Sequence, residues 1–253
     1  MTVADSKLIP AKLGSGEVDL QARSLNFSDY TFLKEGEERH EYTVRLWRTA
    51  GGARLALYPN LNVRDDGWRA LFRDVRMRRA LSLAINRHEI NQVMYYGLGI
   101  EGNNTVLPDS PLFEPKYRDE WAYYDPELAN KLMDEIGLTE FDDDDYRLMA
   151  DGRRLEIIVE TAGEDTEQSD VLELVRDAWA AIGIKMYTKP SQREVFRNRI
   201  YAGDSQMSIW AGYENAMPTA NMSPGEFAPT RQTGLQWPKW GQHYETSGMA
   251  GEV

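Results

Sequence analysis

The chain has no cysteine, and this absence excludes several kinds of site. Without thiols there is no disulfide framework, no thiolate metal site and no cysteine nucleophile. The absence says little about the compartment, because a chain of 253 residues can fold without disulfides in oxidising or reducing surroundings. The three histidines, His40, His88 and His243, lie far apart with no metal-ligand spacing. Neither a zinc site nor any cofactor is expected.

Long apolar runs and catalytic motifs are also missing. No apolar run approaches the roughly 18 residues of a membrane span, and the opening residues lack the segments of a signal peptide. The sequence contains no Gly-x-Ser-x-Gly elbow, no Walker-type phosphate loop and no dinucleotide fingerprint. Direct membrane insertion and enzymatic activity are therefore not expected.

What is present is the composition of an ordinary globular protein. Hydrophobic residues make up 42% and charged residues 28%, which excludes wholesale disorder, and the length predicts one large domain or about two small ones. Against 29 Lys and Arg stand 41 Asp and Glu, a net charge of −12. Phosphate binding needs clustered positive charge, so nucleic acid is not an expected partner.

The first part of the chain predicts short α/β elements. Apolar alternation predicts strands over residues 18–22, 42–47 and 55–58. Ser28 is a candidate N-cap for a helix that runs to Gly36.

Three helices are indicated farther along the chain. The first begins at Asp74 and places Val75, Leu81, Ala84 and Ile85 on one face. The second has the capping-box pattern Asn86 and Glu89, directs Ile90, Val93 and Met94 inward, and stops at Gly97; the third begins at Asp125-Pro126 and closes at Gly137.

The following segment alternates strands with helices. Four consecutive acids, residues 142–145, lack the alternation and mid-loop glycine of a calcium-binding EF-hand and indicate a solvated loop. Strands over 155–160, 184–187 and 207–210, separated by helices over 171–182 and 195–200, give the order βαβαβ and predict a partly parallel sheet. After Trp210 the chain is polar, Pro-rich and aromatic, and no helix is predicted there.

Residues 75–87, VRMRRALSLAINR, resemble the helix hallmark of family 5 of the extracytoplasmic solute-binding proteins of ABC importers, which includes oligopeptide-, dipeptide- and nickel-binding proteins. Other pieces match in the same order: GEVDL at 16–20, YDP at 124–126, EIG at 135–137, DG at 151–152 and AIGIK at 181–185.

This resemblance implies a fold and a division of the chain. The family has two α/β lobes joined by a hinge that close on the ligand like a Venus flytrap. The expected fold class is α/β, periplasmic-binding-protein-like (type II, cluster C), with a mixed central sheet flanked by helices. Residues 1–50 would be a strip of the first lobe with a crossing strand, and residues 51–253 the second lobe with an irregular C-terminal segment. The chain would then be a fragment of a protein about twice as long, with any signal peptide outside it.

The resemblance implies ligand contacts from the crossing strands. By position these fall at Trp47, Tyr58 and Asn60, with Arg23 on a neighbouring strand. Each residue also has an ordinary structural interpretation: the two aromatic residues as core, Asn60 and Asn62 as turn residues beside a proline, and Arg23 as a surface charge.

The resemblance also implies contacts from the loop after the last strand, here Trp210 to Asn215. In the family, a Trp and an Asp of this segment hold a peptide backbone and its amino terminus. This chain has Tyr213 or Glu214 where the Asp is expected. The hypothesis is that Glu214 binds a cationic group of the ligand while Trp210 and Tyr213 form an apolar wall.

The implied function is that of a monomeric receptor. It would capture a small-molecule or peptide ligand outside the cytoplasm, in the periplasm or on a lipid anchor, and deliver it to the permease subunits of an ABC importer. A peptide is the first choice of ligand, and an oligosaccharide or an opine-like amino-acid derivative the second. The chain by itself is expected to bind ligand weakly or not at all. Alternatives from other classes are a hydrolase lobe and a stand-alone interaction module.

Overall fold

The computed structural model describes residues 5–163, 166–219 and 221–252. The chain divides into two compact units, Met1–Thr49 and Ala50–Val253. Its α-helices in chain order are α1 (Ile9–Gly14), α2 (Tyr30–Glu35), α3 (Glu37–His40), α4 (Asp66–Arg73), α5 (Val75–Leu83), α6 (Arg87–Tyr95), α7 (Pro115–Asp119), α8 (Pro126–Ile136), α9 (Glu167–Ala180), α10 (Arg193–Ala202) and α11 (Pro238–Glu245). The strands are β1 (Ala56–Pro59), β2 (Glu156–Thr161), β3 (Lys185–Pro190) and β4 (Met207–Trp210).

The first unit contains short helices, and the residues predicted to form strands are in neither a helix nor a strand. The prediction of strands over residues 18–22 and 42–47 is wrong, because the described part of this unit offers no neighbouring strand to complete a hydrogen-bonded ladder. The backbone polar groups find other partners. The N–H of Val44 donates to the carboxylate of Glu37, and the hydroxyl of Tyr42 donates to the carbonyl of Leu33.

The predicted helix cap at Ser28 is also wrong. Ser28 lies inside a single 3-10 turn, Phe27–Asp29, that precedes α2. The turn is closed by Asn26, whose backbone N–H donates to Asp29 Oδ2 at 2.9 Å. Asn and Ser are both favourable at such positions, so composition alone does not choose between them.

The second unit is built on one mixed sheet with the strand order β1-β4-β2-β3. Strand β2 pairs in parallel with β3 and with β4, as the βαβαβ order predicts, while β1 closes the sheet antiparallel to β4. The antiparallel register pairs Ala56 with Trp210 and Pro59 with Met207. The loop after Trp210 therefore leaves the sheet where β1 begins.

The predicted helix ends are confirmed where local capping signals are complete. The carboxylate of Asp74 accepts the N–H of Arg76 at 2.8 Å at the start of α5. Asp125 likewise accepts the N–H of Leu128 at 2.8 Å, and Gly137 ends α8 with φ of +100°. Only glycine adopts that conformation without steric cost.

Helix α6 begins at the predicted cap, and two of the three residues predicted to point inward, Ile90 and Met94, pack against the apolar cluster. Asn86 Oδ1 accepts the N–H of Glu89 at 3.1 Å. Val93, predicted to point inward, is 58% exposed, and Val75 of α5 is 43% exposed. Asn91 of α6 is also buried, and its amide exchanges hydrogen bonds with the backbone of Gly99.

The larger of two apolar clusters found among the described residues lies in the second unit. It joins helices α4, α5, α8 and α9 to the inner face of the sheet, where Ile157 and Val159 of β2 are fully buried. Trp179 of α9 also donates its indole N–H to the carbonyl of Leu81 at 3.0 Å, which ties α9 to α5. Burial alternates over residues 155–159, which is the reason that the period-2 pattern there predicts a strand.

Two buried charges have dedicated partners. Arg147, 2% exposed, donates to Asn130 Oδ1 at 2.8 Å and to Asp134 Oδ1 at 2.6 Å. Glu160 of β2, 1% exposed, accepts two-pronged hydrogen bonds of 2.8 to 3.0 Å from Arg199 of α10. Such pairing offsets the cost of removing charge from water.

The acidic run at residues 142–145 forms a turn. Asp142 Oδ1 accepts the N–H groups of Asp144 at 2.9 Å and Tyr146 at 3.0 Å. The carboxylates of Asp142 and Asp144 both pair with Arg154. The acidic run therefore has a structural role, because its carboxylates close the turn and bind the side chain of Arg154.

The segment after Trp210 contains helix α11, contrary to prediction. Pro238 occupies its first turn, and Asn62 Oδ1 accepts the N–H groups of Lys239 and Trp240 at 3.1 and 3.3 Å. This cap comes from a residue far away in the sequence, so the local pattern does not reveal it.

In the part of the chain that the structure describes, no helix combines the length and the apolar character needed to cross a bilayer.

Candidate functional site

Three loops meet beyond the end of β4 and form what we call the loop junction, residues 50–53, 103–107 and 211–216. Backbone hydrogen bonds join the first loop to the last: Gly52 N–H to Tyr213 O at 2.9 Å, Gly212 N–H to Ala53 O at 2.9 Å, and Ala216 N–H to Ala50 O at 2.6 Å. Backbone hydrogen bonds to residues 50–53 therefore hold one side of the predicted ligand-binding loop.

The connection between α6 and α7 supplies the other side of the loop junction. Asn104 Oδ1 accepts the N–H of Tyr213 at 3.0 Å, and the N–H of Leu107 donates to Ala216 O at 2.9 Å. Long connections of this kind commonly carry function when they are ordered.

A cavity of about 400 Å³ opens beside the loop junction. Its lining includes Asn104, Val106, Leu112, Tyr117, Tyr213 and Phe227. The rings of Tyr213 and Phe227 are in contact, with centroids 4.6 Å apart and tilted by 52°. The cavity is half open, and its lining combines three aromatic rings with the amide of Asn104.

Two glutamates, Glu214 and Glu226, are the sequence neighbours of the lining residues Tyr213 and Phe227. Glu226 is half-buried and accepts the backbone N–H of Glu214 at 3.1 and 3.3 Å, while the side chain of Glu214 is exposed. Among the described residues neither carboxylate takes part in an ion pair. Burial, with a smaller contribution from the charge of Glu226, raises the pKa of Tyr213.

Tyr58 connects the crossing strand to the predicted loop. Its hydroxyl donates to the carbonyl of Ala211 at 2.8 Å. Burial raises the pKa of the Tyr58 phenol well above its usual range, and the neighbouring Tyr213 and Glu226 raise it further. The phenol therefore remains a hydrogen-bond donor at neutral pH, and Tyr58 lies beside the same loop as Tyr213.

Trp210 and Asn215 have different surroundings. The Trp210 ring stacks on Phe196 of α10 with centroids 5.8 Å apart, and the guanidinium of Arg193 lies 5.3 Å from its centre. Asn215 Oδ1 accepts the N–H of Met217 at 2.9 Å, and its amide nitrogen contacts Met222 Sδ at 3.4 Å. Trp210 thus faces α10, whereas Tyr213 faces the cavity.

Asn60 lies at the opposite end of β1 from Trp210. It is 1% exposed; its Nδ2 donates to Ser205 O at 2.9 Å, and its Oδ1 accepts the N–H of Asn62 at 3.0 Å. Both amide atoms therefore stabilise the turn after β1.

Arg23 and Trp47 belong to the first unit, where both side chains are exposed, Trp47 by 73%. Their predicted contact with ligand stays a prediction.

Sequence reasoning missed Asn104, Glu226 and Phe227. Asn104 lies 109 positions before its partner Tyr213, and Glu226 lies 12 positions after Glu214. No local motif marks either pairing, since it is created by the fold. Within the described residues no group of three or more His, Cys, Asp or Glu side chains is placed to hold a metal ion.

Comparison with known proteins places these features in a family context. The family model described as bacterial extracellular solute-binding proteins, family 5 Middle, matches residues 1–233. Among solved structures, an oligopeptide-binding protein OppA superposes with a TM-score of 0.72 and 31% identity, covering 99% of this chain and 41% of that one.

Curated relatives match over a shorter stretch. The heme-binding protein A of Haemophilus influenzae is 25% identical over 62% of this chain, and the dipeptide-binding protein of Escherichia coli is 24% identical over 66%. The matched stretches span 27% and 29% of those two proteins.

Proposed function

Because the chain belongs to the bacterial extracellular solute-binding proteins of family 5, we propose that it is part of the substrate-binding component of an ABC importer. The family membership confirms the resemblance inferred from residues 75–87. The predicted α/β, periplasmic-binding-protein-like fold with a mixed central sheet is confirmed as well. The observation that carries the proposed function is the family match over residues 1–233.

The proposed mechanism is capture of a solute between two lobes. A ligand that contacts both lobes favours the closed state by its differential affinity for that state. The closed receptor would then be recognised by the permease subunits of the importer, outside the cytoplasm. In this proposal the protein binds its solute unchanged and acts as a receptor instead of an enzyme.

A peptide-like solute is the first candidate ligand. In this proposal Glu214 is the partner of a cationic group and Tyr213 is an apolar contact. A contact of Trp210 with the ligand stays a prediction, because its ring packs on Phe196 of α10. A carboxylate in a closing cleft suits an ammonium group, because pairing offsets the desolvation of both charges. An oligosaccharide is the second candidate, favoured by the cavity in which the rings of Tyr117 and Tyr213 lie near the Asn104 amide.

The proposal is tested on the protein purified from the cells that make it. Native mass spectrometry should detect a co-purifying solute, and we expect peptides. Calorimetry with the identified peptide should then show a loss of about 10- to 100-fold in affinity for Glu214→Gln, the usual range for a charged hydrogen bond. Glu140→Gln removes another exposed carboxylate and serves as the matched control.

A tightly bound sugar with no peptide would favour the second candidate. Chemical conversion of an added peptide would contradict the receptor class altogether. An unchanged affinity in Glu214→Gln would remove the assignment of that residue.

A further inference from the structure

The end of helix α6 and the loop that follows it present large apolar side chains to solvent. We call this surface the α6 patch and define it by Val93, Tyr96, Leu98 and Ile100, whose exposed fractions are 58%, 52%, 61% and 85%. Val93 and Tyr96 lie three positions apart and therefore share one side of the helix end. Single exposed apolar residues are ordinary, but several that are close together indicate an interaction site.

A buried side chain holds the α6 patch in place. Asn91, 7% exposed, donates its amide N–H to Gly99 O at 3.1 Å and accepts the N–H of Gly99 at 2.9 Å. Its backbone carbonyl accepts the N–H of Gly97 at 3.0 Å. Tyr96 has φ of +52°, a conformation that a bulky residue keeps only where the surrounding contacts impose it. A hydrogen-bonded loop therefore displays the apolar side chains, and such a loop loses little entropy when a partner docks.

The charge at the border of the α6 patch is negative. Glu89 is exposed and precedes Val93 by four positions, so the two side chains lie on the same side of α6. At the other end of the patch, Glu101 Oε1 accepts the amide N–H of Asn91 at 3.0 Å and lies 3.1 Å from His88 Nδ1. The hydrogen bond from Asn91 lowers the pKa of Glu101, so this carboxylate is charged at neutral pH. A complementary partner carries positive charge next to apolar side chains.

We propose that the α6 patch is a docking surface for the permease subunits of the importer, and that it receives a segment with apolar side chains beside Lys or Arg. This inference rests on the proposed function and adds the place on the receptor where the partner binds. Two other occupants fit the patch less well. A symmetric dimer of this chain would bring two negative borders into one interface, and anionic lipid headgroups would be repelled by the same charge.

The test places the photoreactive residue benzoylphenylalanine at position 100 of the full protein, in the cells that make it. Position 249 is the matched control, because Met249 is an apolar residue with nearly the same exposure, 87% against 85% for Ile100. After illumination, mass spectrometry identifies the crosslinked chain. We expect position 100 to crosslink to a permease subunit, at a segment with apolar residues beside Lys or Arg, and position 249 not to do so.

Two variants assign the crosslink to the α6 patch. With the photoreactive residue at position 100, Leu98→Gln should lower the crosslinking yield by about 10-fold, because the interface loses an apolar contact and must desolvate an amide. Glu89→Lys reverses the charge of the border and should lower the yield by about 3-fold. In membrane vesicles this second effect should disappear at about 0.5 M salt, because salt screens exposed charges.

Solute binding provides the control for both variants. Leu98 and Glu89 are exposed, so both variants should fold, and circular dichroism checks this. Calorimetry with the solute identified by mass spectrometry should give the affinity of the parent, since neither side chain lines the cavity at the loop junction.

The outcomes separate this inference from the proposed function. Crosslinks from position 100 only to another copy of this chain, or only to lipid, would overturn the docking surface and leave the receptor role in place. A crosslink to a permease subunit that survives Leu98→Gln and Glu89→Lys unchanged would overturn it as well. Absence of both a co-purifying solute and any crosslink to a permease subunit would refute both proposals.

Discussion

Two buried charged side chains of the second unit depend on specific hydrogen-bond partners. Arg147 and Glu160 are almost fully buried, and each meets partners brought by other elements. The sequence indicates charged positions but not their partners, because Glu160 and Arg199 are 39 positions apart. The same holds at the candidate site, where Glu214 could be named from the sequence and Glu226 could not.

Asp65 provides a residue-scale test through pH. Its carboxylate accepts the N–H of Trp68 at 3.0 Å at the start of α4 and two hydrogen bonds of 2.6 and 3.0 Å from Arg153. The Arg153 guanidinium, followed by the Trp68 N–H, lowers the pKa of Asp65 to about 2 from its usual 3.8. The lowered pKa means that Asp65 stabilises the fold fully above about pH 4 and loses this contribution as the pH falls through 2.

We expect Asp65→Asn, which keeps the cap and removes the charge, to lower the unfolding free energy by about 0.5 to 1 kcal/mol at pH 7. The estimate is this small because 34% of the Asp65 side chain is exposed and solvent screens the pair. Thermal unfolding followed by circular dichroism should show the difference from the parent shrinking between pH 4 and pH 2. Asp65→Ala, which also removes the cap, should cost about 1 kcal/mol more at every pH. A pH-independent gap between Asp65→Asn and the parent would contradict the ion-pair role.

At the scale of elements, prediction succeeds where the signals are local. Helix α8 has its Asp cap, Pro and closing Gly within one segment, and β2, β3 and β4 have short apolar patterns bounded by turns. The local sequence does not indicate helix α11, because its cap, Asn62, comes from a distant turn. Apolar alternation over residues 18–22 and 42–47 does not suffice to form strands, because a strand also needs a neighbouring strand to pair with.

The loop junction is the element on which the candidate site depends. A Cβ added at Gly212 would lie 2.3 Å from Asn104 Oδ1 and 2.6 Å from Ala53 N, so the three loops cannot keep their positions. We expect Gly212→Ala to destabilise the protein by about 1 to 3 kcal/mol and to weaken ligand binding. Urea unfolding measures the first effect, and faster hydrogen exchange at the amide of Tyr213 would report that the loops have separated.

Gly67→Ala is the matched control for this prediction. Gly67 lies in helix α4. A Cβ added there would meet mainly the ends of flexible side chains, Met149 Cε at 3.0 Å and Arg153 Nη2 at 3.2 Å. Alanine favours helix over glycine by up to about 1 kcal/mol, so this variant should be neutral or more stable. Equal stability of the two variants would show that the loop junction is not tightly packed.

At the scale of the whole molecule, the apolar interior is unevenly divided between the two units. Every fully buried member of the two apolar clusters lies between Leu61 and Ile209. In the described part of the first unit, only Ile9 and Leu33 are buried apolar residues. A unit of about fifty residues needs a substantial apolar core to fold alone. The first unit buries too little apolar surface to be stable by itself.

We therefore expect residues 50–253 to fold without residues 1–49. A chain of residues 50–253 should unfold in one cooperative transition with a Tm within about 5 °C of the parent, a shift that corresponds to about 1 to 2 kcal/mol in a domain of this size. Residues 1–49 as a peptide should show no cooperative transition, because short helices without tertiary packing are marginal in water. Calorimetry on the three chains makes the measurement. Loss of the cooperative transition in residues 50–253 would mean that the core described here does not stabilise the second unit on its own, since all of its buried residues would still be present.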